Sequence, residues 1–292
     1  MSDFKAPLTW INGERGGGIS PLDRGFAYGD GLFETCRVDR GSIPLWQQHL
    51  KRLSQSAEKL SIPFDINLLQ LYLKVVFDDL GAASGVLKLT LTRGEGGRGY
   101  GLPEAVRPNW VVLFTPGEIP MDSSPCSVRV CRQRLSRNAS LAGLKHLNRL
   151  ENILARAEWS DSAIAEGLML DDTGRVIEAT SHNLFALIDG VWCTPELGEA
   201  GVRGVMRQLV IEELAPALGV EVAERALSLE HIASARELMV CNSVRAIRPV
   251  DCVLDSDGRE LVLFDSAEQG LRLHRALDDW MSKRGSKHQW DK

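Results

Sequence analysis

The chain contains no Cys-x-x-Cys pair, and no apolar stretch nears the roughly 20 residues that a membrane-spanning helix needs. Its six cysteines, Cys36, Cys126, Cys131, Cys193, Cys241 and Cys252, are scattered. Most lie in apolar strand-like runs, where a thiol acts as a small hydrophobe. Neither a disulfide scaffold nor a membrane protein is expected, and a reducing, cytoplasmic setting is the simplest reading. Basic charge is not in excess, because 34 Lys and Arg stand against 39 Asp and Glu, a net charge of -5. Such a chain has no surplus to neutralise phosphates, so nucleic-acid binding is not expected. The start, Met1 to Pro7, lacks the basic-then-apolar order of a secretory signal. His49, His146, His182, His231, His274 and His288 show no His-x-x-x-His spacing, which argues against a protein metal site. No Gly-x-Ser-x-Gly elbow is present, which argues against a serine hydrolase.

What remains is an ordinary globular composition, 44% apolar and 25% charged over 292 residues, enough for one large or two medium domains. The first third mixes strands and helices. Leu8 to Ile11 runs into the turn Asn12-Gly13, and Phe33 to Val38 reads as a second strand. Helical spacing marks Trp46 to Leu60 and Leu69 to Leu80, the latter closed by Gly81. Val86 to Leu91 and Trp110 to Phe114 are further strands. The stretch Thr115 to Pro125 is rich in Pro, Gly and Ser and reads as a linker. Short strands then dominate, including Ser127 to Val130, Leu168 to Leu170, Val176 to Ala179, Leu184 to Ile188, Val191 to Cys193, Val220 to Val222 and Leu238 to Cys241. Helices are predicted over 147–159, 205–218 and 271–283, and 284–292 reads as a frayed end. The predicted fold class is therefore α+β. A small α/β domain is expected over 1–115, a linker over 116–125, and a larger strand-rich domain over 126–292.

Lysine is scarce where chemistry would need it. Of nine lysines, only Lys145 lies between Lys88 and Lys283, while arginine does the ordinary basic work there. Arginine does not lose its proton, whereas a half-buried lysine becomes a neutral amine nucleophile. Lys145 follows Gly143 and precedes the apolar spacing Leu147, Leu150, Leu154, Ala157, which places it at a strand-to-helix corner. In Val176-Ile177-Glu178-Ala179, Glu178 is either a polar position on a half-solvated strand or a carboxylate aimed at a cationic ring nitrogen. Arg203-Gly204-Val205-Met206-Arg207 opens a helix on a glycine, where backbone N–H groups can approach an anion. Gly94 to Gly101 is neither a P-loop nor a dinucleotide fingerprint. It is either a mobile hairpin tip or a loop that presents Arg98 and Tyr100 to a carboxylate.

Together these pieces resemble the fold-type IV pyridoxal-phosphate enzymes, a group that includes branched-chain and D-amino-acid aminotransferases and aminodeoxychorismate lyases. Asp23-Arg24-Gly25-Phe26-Ala27-Tyr28-Gly29-Asp30-Gly31-Leu32-Phe33-Glu34-Thr35 is similar to the shared N-terminal signature, and His49-Leu50-Lys51-Arg52-Leu53 to the helix of the phosphate arginine. The resemblance implies a small α/β sandwich domain, a larger strand-rich pseudo-barrel and a homodimer. It implies pyridoxal 5'-phosphate joined to Lys145, with Glu178 at the ring nitrogen. It implies a phosphate held by Arg52, Gly204, Val205, Met206, Asn242 and Ser243. Met206 stands where several relatives have a hydroxyl residue, so a contact there would be through backbone alone. Within the group, Lys145-His146-Leu147-Asn148-Arg149-Leu150-Glu151 and the loop Gly94 to Tyr100 resemble the lyases. That implies conversion of 4-amino-4-deoxychorismate to 4-aminobenzoate, a folate precursor, and pyruvate, with Phe33, Arg98 and Tyr100 at the substrate. The alternative is amino-group transfer of the D-amino-acid or branched-chain type, run on the same lysine.

Overall fold

The computed structural model describes residues 6–284. The start Met1 to Lys5, His288 and most of the end read as frayed lie outside the described residues. Two compact units are present. One runs to Ile119 and also takes in Lys145–Asn148; the other comprises Pro120–Leu144 and Arg149–Lys283.

The first unit holds β1 (Leu8–Ile11), β2 (Glu14–Arg15), α1 (Arg24–Tyr28), β3 (Gly31–Val38), α2 (Trp46–Lys59), α3 (Ile66–Leu80), β4 (Gly85–Thr92) and β5 (Asn109–Pro116). Its antiparallel sheet runs in the order β2-β1-β5-β4-β3. Asn12 and Gly13 both take positive φ, 51° and 82°, which is the turn a two-residue hairpin requires. Asp23 caps α1 by accepting from Gly25 N and Phe26 N, and Gly29 ends it at φ 68°. Strand alternation sorts the sheet's two faces. Leu87, Leu89, Leu91, Trp110, Val112 and Phe114 are buried on one face, as are Leu32, Glu34 and Cys36. Each large apolar side chain buried there contributes roughly 1.5–3 kcal/mol. Phe33 lies on the other face.

The second unit holds β6 (Cys126–Leu135), α4 (Leu150–Arg156), β7 (Ile164–Asp171), β8 (Val176–Ala179), β9 (Asn183–Ile188), β10 (Val191–Thr194), α5 (Val205–Leu209), α6 (Ala215–Ala217), β11 (Val222–Glu224), α7 (Leu229–Ser234), β12 (Glu237–Asn242), β13 (Ala246–Leu254), β14 (Glu260–Leu263) and α8 (Glu268–Arg284). Its mixed sheet runs β11-β10-β9-β12-β13-β6-β7-β8, with β14 beside β13. The last strand in that order curls back toward the first. Val176 N donates to Leu227 O at 2.8 Å, three residues beyond β11. β8 and β9 are buried at every position, so alternation is absent there.

Several expectations change. The helix predicted from Leu147 begins at Leu150, because Lys145 to Asn148 run extended beside β3. Its apolar stripe is not core: Leu150, Ile153 and Leu154 are 74%, 60% and 57% exposed, and only Ala155 is buried. The helix predicted over 205–218 contains a π-helical turn, Val210–Leu214, between α5 and α6. The strands β13 and β14 and the helices α1 and α7 were not predicted, being short or irregular in pattern.

Candidate active site

In the first unit the chain approaching α4 adds to the edge of β3. Phe33 N donates to Lys145 O at 2.9 Å and Leu147 N to Gly31 O at 3.0 Å. This pairing brings the Lys145 ammonium to 4.4 Å from the centre of the Phe33 ring, a cation–π contact on the half-open face. A lysine so placed is neither a core residue nor a freely solvated one.

One residue along, Glu34 turns to the covered face and meets α2. Its Oε1 accepts from Arg52 Nε at 2.8 Å, its Oε2 from Arg52 Nη2, and its Oε2 from His49 Nδ1 at 2.6 Å. Burial pushes the Glu34 carboxyl up, but the charges of Arg52 and His49 and their hydrogen bonds outweigh it, to about 2. Burial holds His49 below its ordinary range more strongly than Glu34 raises it, so the permanent positive partner is Arg52. His49 Nε2 is buried without a hydrogen-bond partner among the described residues. Sequence reasoning assigned Arg52 but left Glu34 and His49 without roles. Their spacing carried a signal only as an acidic position on an otherwise apolar strand face.

The loop Gly94 to Gly101 follows β4. Arg98 is exposed and makes no hydrogen bond or ion pair among the described residues. Tyr100 is 86% exposed and meets Tyr28 edge-on at 5.6 Å.

In the second unit Glu178 is 4% exposed, so the half-solvated reading of its strand does not hold. Its Oε2 accepts from Val202 N at 2.8 Å. The segment carrying Val202 pairs with Gly143, whose N–H donates to Gly201 O at 2.9 Å. Asn183 Nδ2 donates to Val202 O at 2.9 Å. Gly204 caps α5 with no side-chain acceptor, and a Cβ there would collide with Asn183 Oδ1. The N–H groups of Val205 and Met206 in the first turn therefore have no capping side chain. Arg207 of the same motif turns away, to Thr194 Oγ1, Pro195 O and Glu224. Asn242 Oδ1 accepts from Val244 N and Arg245 N, and its Nδ2 donates to Ser181 O at 3.3 Å, so its side chain shapes the turn that carries Ser243.

Glu166 was not anticipated. It is buried and accepts from Thr180 Oγ1, Ser181 Oγ and His182 Nδ1, which pins the turn after Glu178. Burial pushes its carboxyl up, yet the hydrogen bond and charge of His182, with Ser181 and Thr180, bring it to about 2.

The first unit offers a lysine beside an aromatic ring, which suits an aldehyde. The second offers a buried carboxylate, which suits a basic ring nitrogen, and an uncapped helix start that a side chain would block, which suits a phosphate. Among the described residues no cluster could hold a metal ion, and no helix is long and apolar enough to cross a membrane.

Residues 31–253 match the sequence profile of the family described as amino-transferase class IV, and the chain belongs to that family. It is an α+β enzyme of fold type IV. It is 34% identical over 250 residues to an aminodeoxychorismate lyase of Vibrio harveyi, covering 83% of this chain and 90% of that one. A crystal structure of 4-amino-4-deoxychorismate lyase from Pseudomonas aeruginosa superposes with a TM-score of 0.84 at 40% identity, covering 93% and 98%. A putative branched-chain-amino-acid aminotransferase of Methanocaldococcus jannaschii is 30% identical, covering 95% and 98%.

Proposed function

We propose that this enzyme is a pyridoxal-phosphate lyase that converts 4-amino-4-deoxychorismate to 4-aminobenzoate and pyruvate in folate biosynthesis. The observation that carries the reading is the segment Lys145 to Leu147 laid against β3, with the Lys145 ammonium over Phe33. Likeness to the two lyases supports it.

Lys145, Glu178 and Arg52, with the N–H groups at Gly204, Val205 and Met206 and the Asn242-Ser243 turn, would hold pyridoxal 5'-phosphate. When bound, that group supplies a protonated ring that withdraws electrons from the substrate's amine-bearing carbon. Glu178 holds the proton at the ring nitrogen; its buried carboxylate favours a cationic neighbour. Arg52, aimed by Glu34, offers the phosphate a fixed guanidinium. Lys145, as a free amine, takes the proton from the amine-bearing carbon. The electron pair left there expels the neighbouring enolpyruvyl ether oxygen, and aromatisation drives the step. Phe33, Arg98 and Tyr100 are assigned to the substrate, with the Arg98 guanidinium available for a carboxylate.

The second reading is amino-group transfer, which the aminotransferase relative favours. It would use the same lysine to return the proton elsewhere instead of allowing elimination. Incubation with aminodeoxychorismate decides: 4-aminobenzoate and pyruvate in equal amounts are expected. Amino-group transfer to a 2-oxo acid without 4-aminobenzoate would overturn the lyase. The setting is assigned as cytoplasmic, since the six cysteines are free thiols. The active form is assigned as a homodimer.

A further inference from the structure

We propose that Arg24 is the positioning residue of substrate recognition: its buried guanidinium gathers the backbone carbonyls of the loop carrying Arg98 and Tyr100. The proposal rests on the reading that this loop takes the substrate, and it deepens that reading.

Arg24 is 4% exposed and lies in α1. Its Nη1 donates to Gly99 O and Gly101 O, each at 3.2 Å, and its Nη2 reaches Tyr100 O at 3.5 Å. Three successive carbonyls thus converge on one planar cation, a geometry that a flexible hairpin tip would not keep. The charge is balanced on the far side, where Nε donates to Asp30 Oδ2 at 2.8 Å. Asp30 is shared with Arg93, whose remaining donors hold Leu60 O and Ser61 O at the end of α2, the helix of Arg52. Backbone pairing anchors the incoming limb of the loop: Arg24 N donates to Gly94 O at 2.8 Å and Gly96 N to Leu22 O at 3.3 Å. The Arg24 guanidinium also stacks 5.1 Å from the Tyr28 ring, which meets Tyr100. Gly96 leaves room for the arginine stem, since a Cβ there would stand 2.6 Å from Arg24 Cδ. Each nitrogen of the Arg24 guanidinium is therefore engaged with the loop or with its own counter-charge. It holds Arg98 out without touching what Arg98 would bind.

The test compares holoenzyme of wild type, Arg24→Lys, which keeps the charge but not the fork, and Gly96→Ala, which displaces the arginine stem. Trypsin cleavage of the Arg98–Gly99 bond is followed by mass spectrometry, beside the cofactor absorbance and steady-state kinetics. We expect cleavage at Arg98 at least about tenfold faster in both variants, with K_M raised more than kcat falls and the absorbance unchanged. Equal cleavage rates in the three proteins would overturn the clamp. Faster cleavage with K_M unaltered, in an enzyme whose Arg98→Ala variant does raise K_M, would overturn the positioning role. If Arg98→Ala leaves K_M untouched, the substrate reading of the loop fails, and the cleavage rates still decide the clamp.

Discussion

Glu34 accepts the Nε–H of Arg52 at 2.8 Å on the face of β3 opposite to Phe33, the ring beneath the Lys145 ammonium. One step along a strand thus separates a cation's counter-charge from the surface where carbonyl chemistry is assigned. The arrangement aims Arg52 and turns its carboxylate partner away from Phe33.

The Glu34 carboxyl ordinarily titrates near 4.5 and in the fold near 2. Falling pH protonates the unfolded chain first. The stability it contributes, on the order of 3 kcal/mol, is full above about 4.5 and lost as pH falls toward 2. Glu166 acts over the same window. Glu34→Gln should lower stability at neutral pH by a similar amount and make the urea midpoint less steep against pH below 4.5, where Asp30, Asp171 and other lowered carboxylates still act. An unchanged slope would remove Glu34 from this role.

Lys145 should be the residue joined to the cofactor. Borohydride reduction of the loaded protein is expected to fix the cofactor on one peptide, containing Lys145. Lys145→Ala should lose nearly all turnover yet retain cofactor reversibly. Label on any other lysine would sink the assignment.

Glu178→Gln retains an oxygen that can accept from Val202 N, so folding stability should change little. The neutral amide cannot hold the ring proton. We expect kcat and kcat/K_M to fall together by about a hundredfold, near 2.7 kcal/mol of transition-state stabilisation. Wild-type kcat in this variant would mean that the carboxylate serves the fold alone.

Arg98→Ala removes an exposed guanidinium that has no partner among the described residues. Loss of one charge-assisted contact, about 1.5–3 kcal/mol, should raise K_M roughly tenfold to a few hundredfold. Cofactor absorbance should stay the same. An unaltered K_M would return the loop to a purely structural role.

Leu150, Ile153 and Leu154 form an exposed apolar stripe on α4, and we propose it as the contact face of the homodimer. Ile153→Asp should shift sedimentation from dimer toward monomer. A wild-type protein that sediments as a fully active monomer would refute the dimer.

Local rules were enough to read much of this protein from its sequence. Turn chemistry placed the Asn12-Gly13 hairpin, 3.6-residue spacing placed α2 and α3, alternation placed β4, and a fully apolar run placed β5. The isolation of Lys145 marks it as a candidate, and the resemblance to the fold-type IV enzymes supplies the proposed roles of Lys145, Glu178 and the helix opening at Gly204. Periodicity could not say which stripe is covered. The run from Leu147 has helical apolar spacing, yet pairing to β3 holds its start extended and α4 leaves Leu150 and Ile153 outside. Nor could spacing join Glu34 to residues 15 and 18 positions away, or Arg24 to carbonyls 75 to 77 positions away. Those contacts depend on which sheet face and which loop meet in space. Only the tertiary structure decides that, because a buried charge takes whatever partner the packing brings within hydrogen-bond reach.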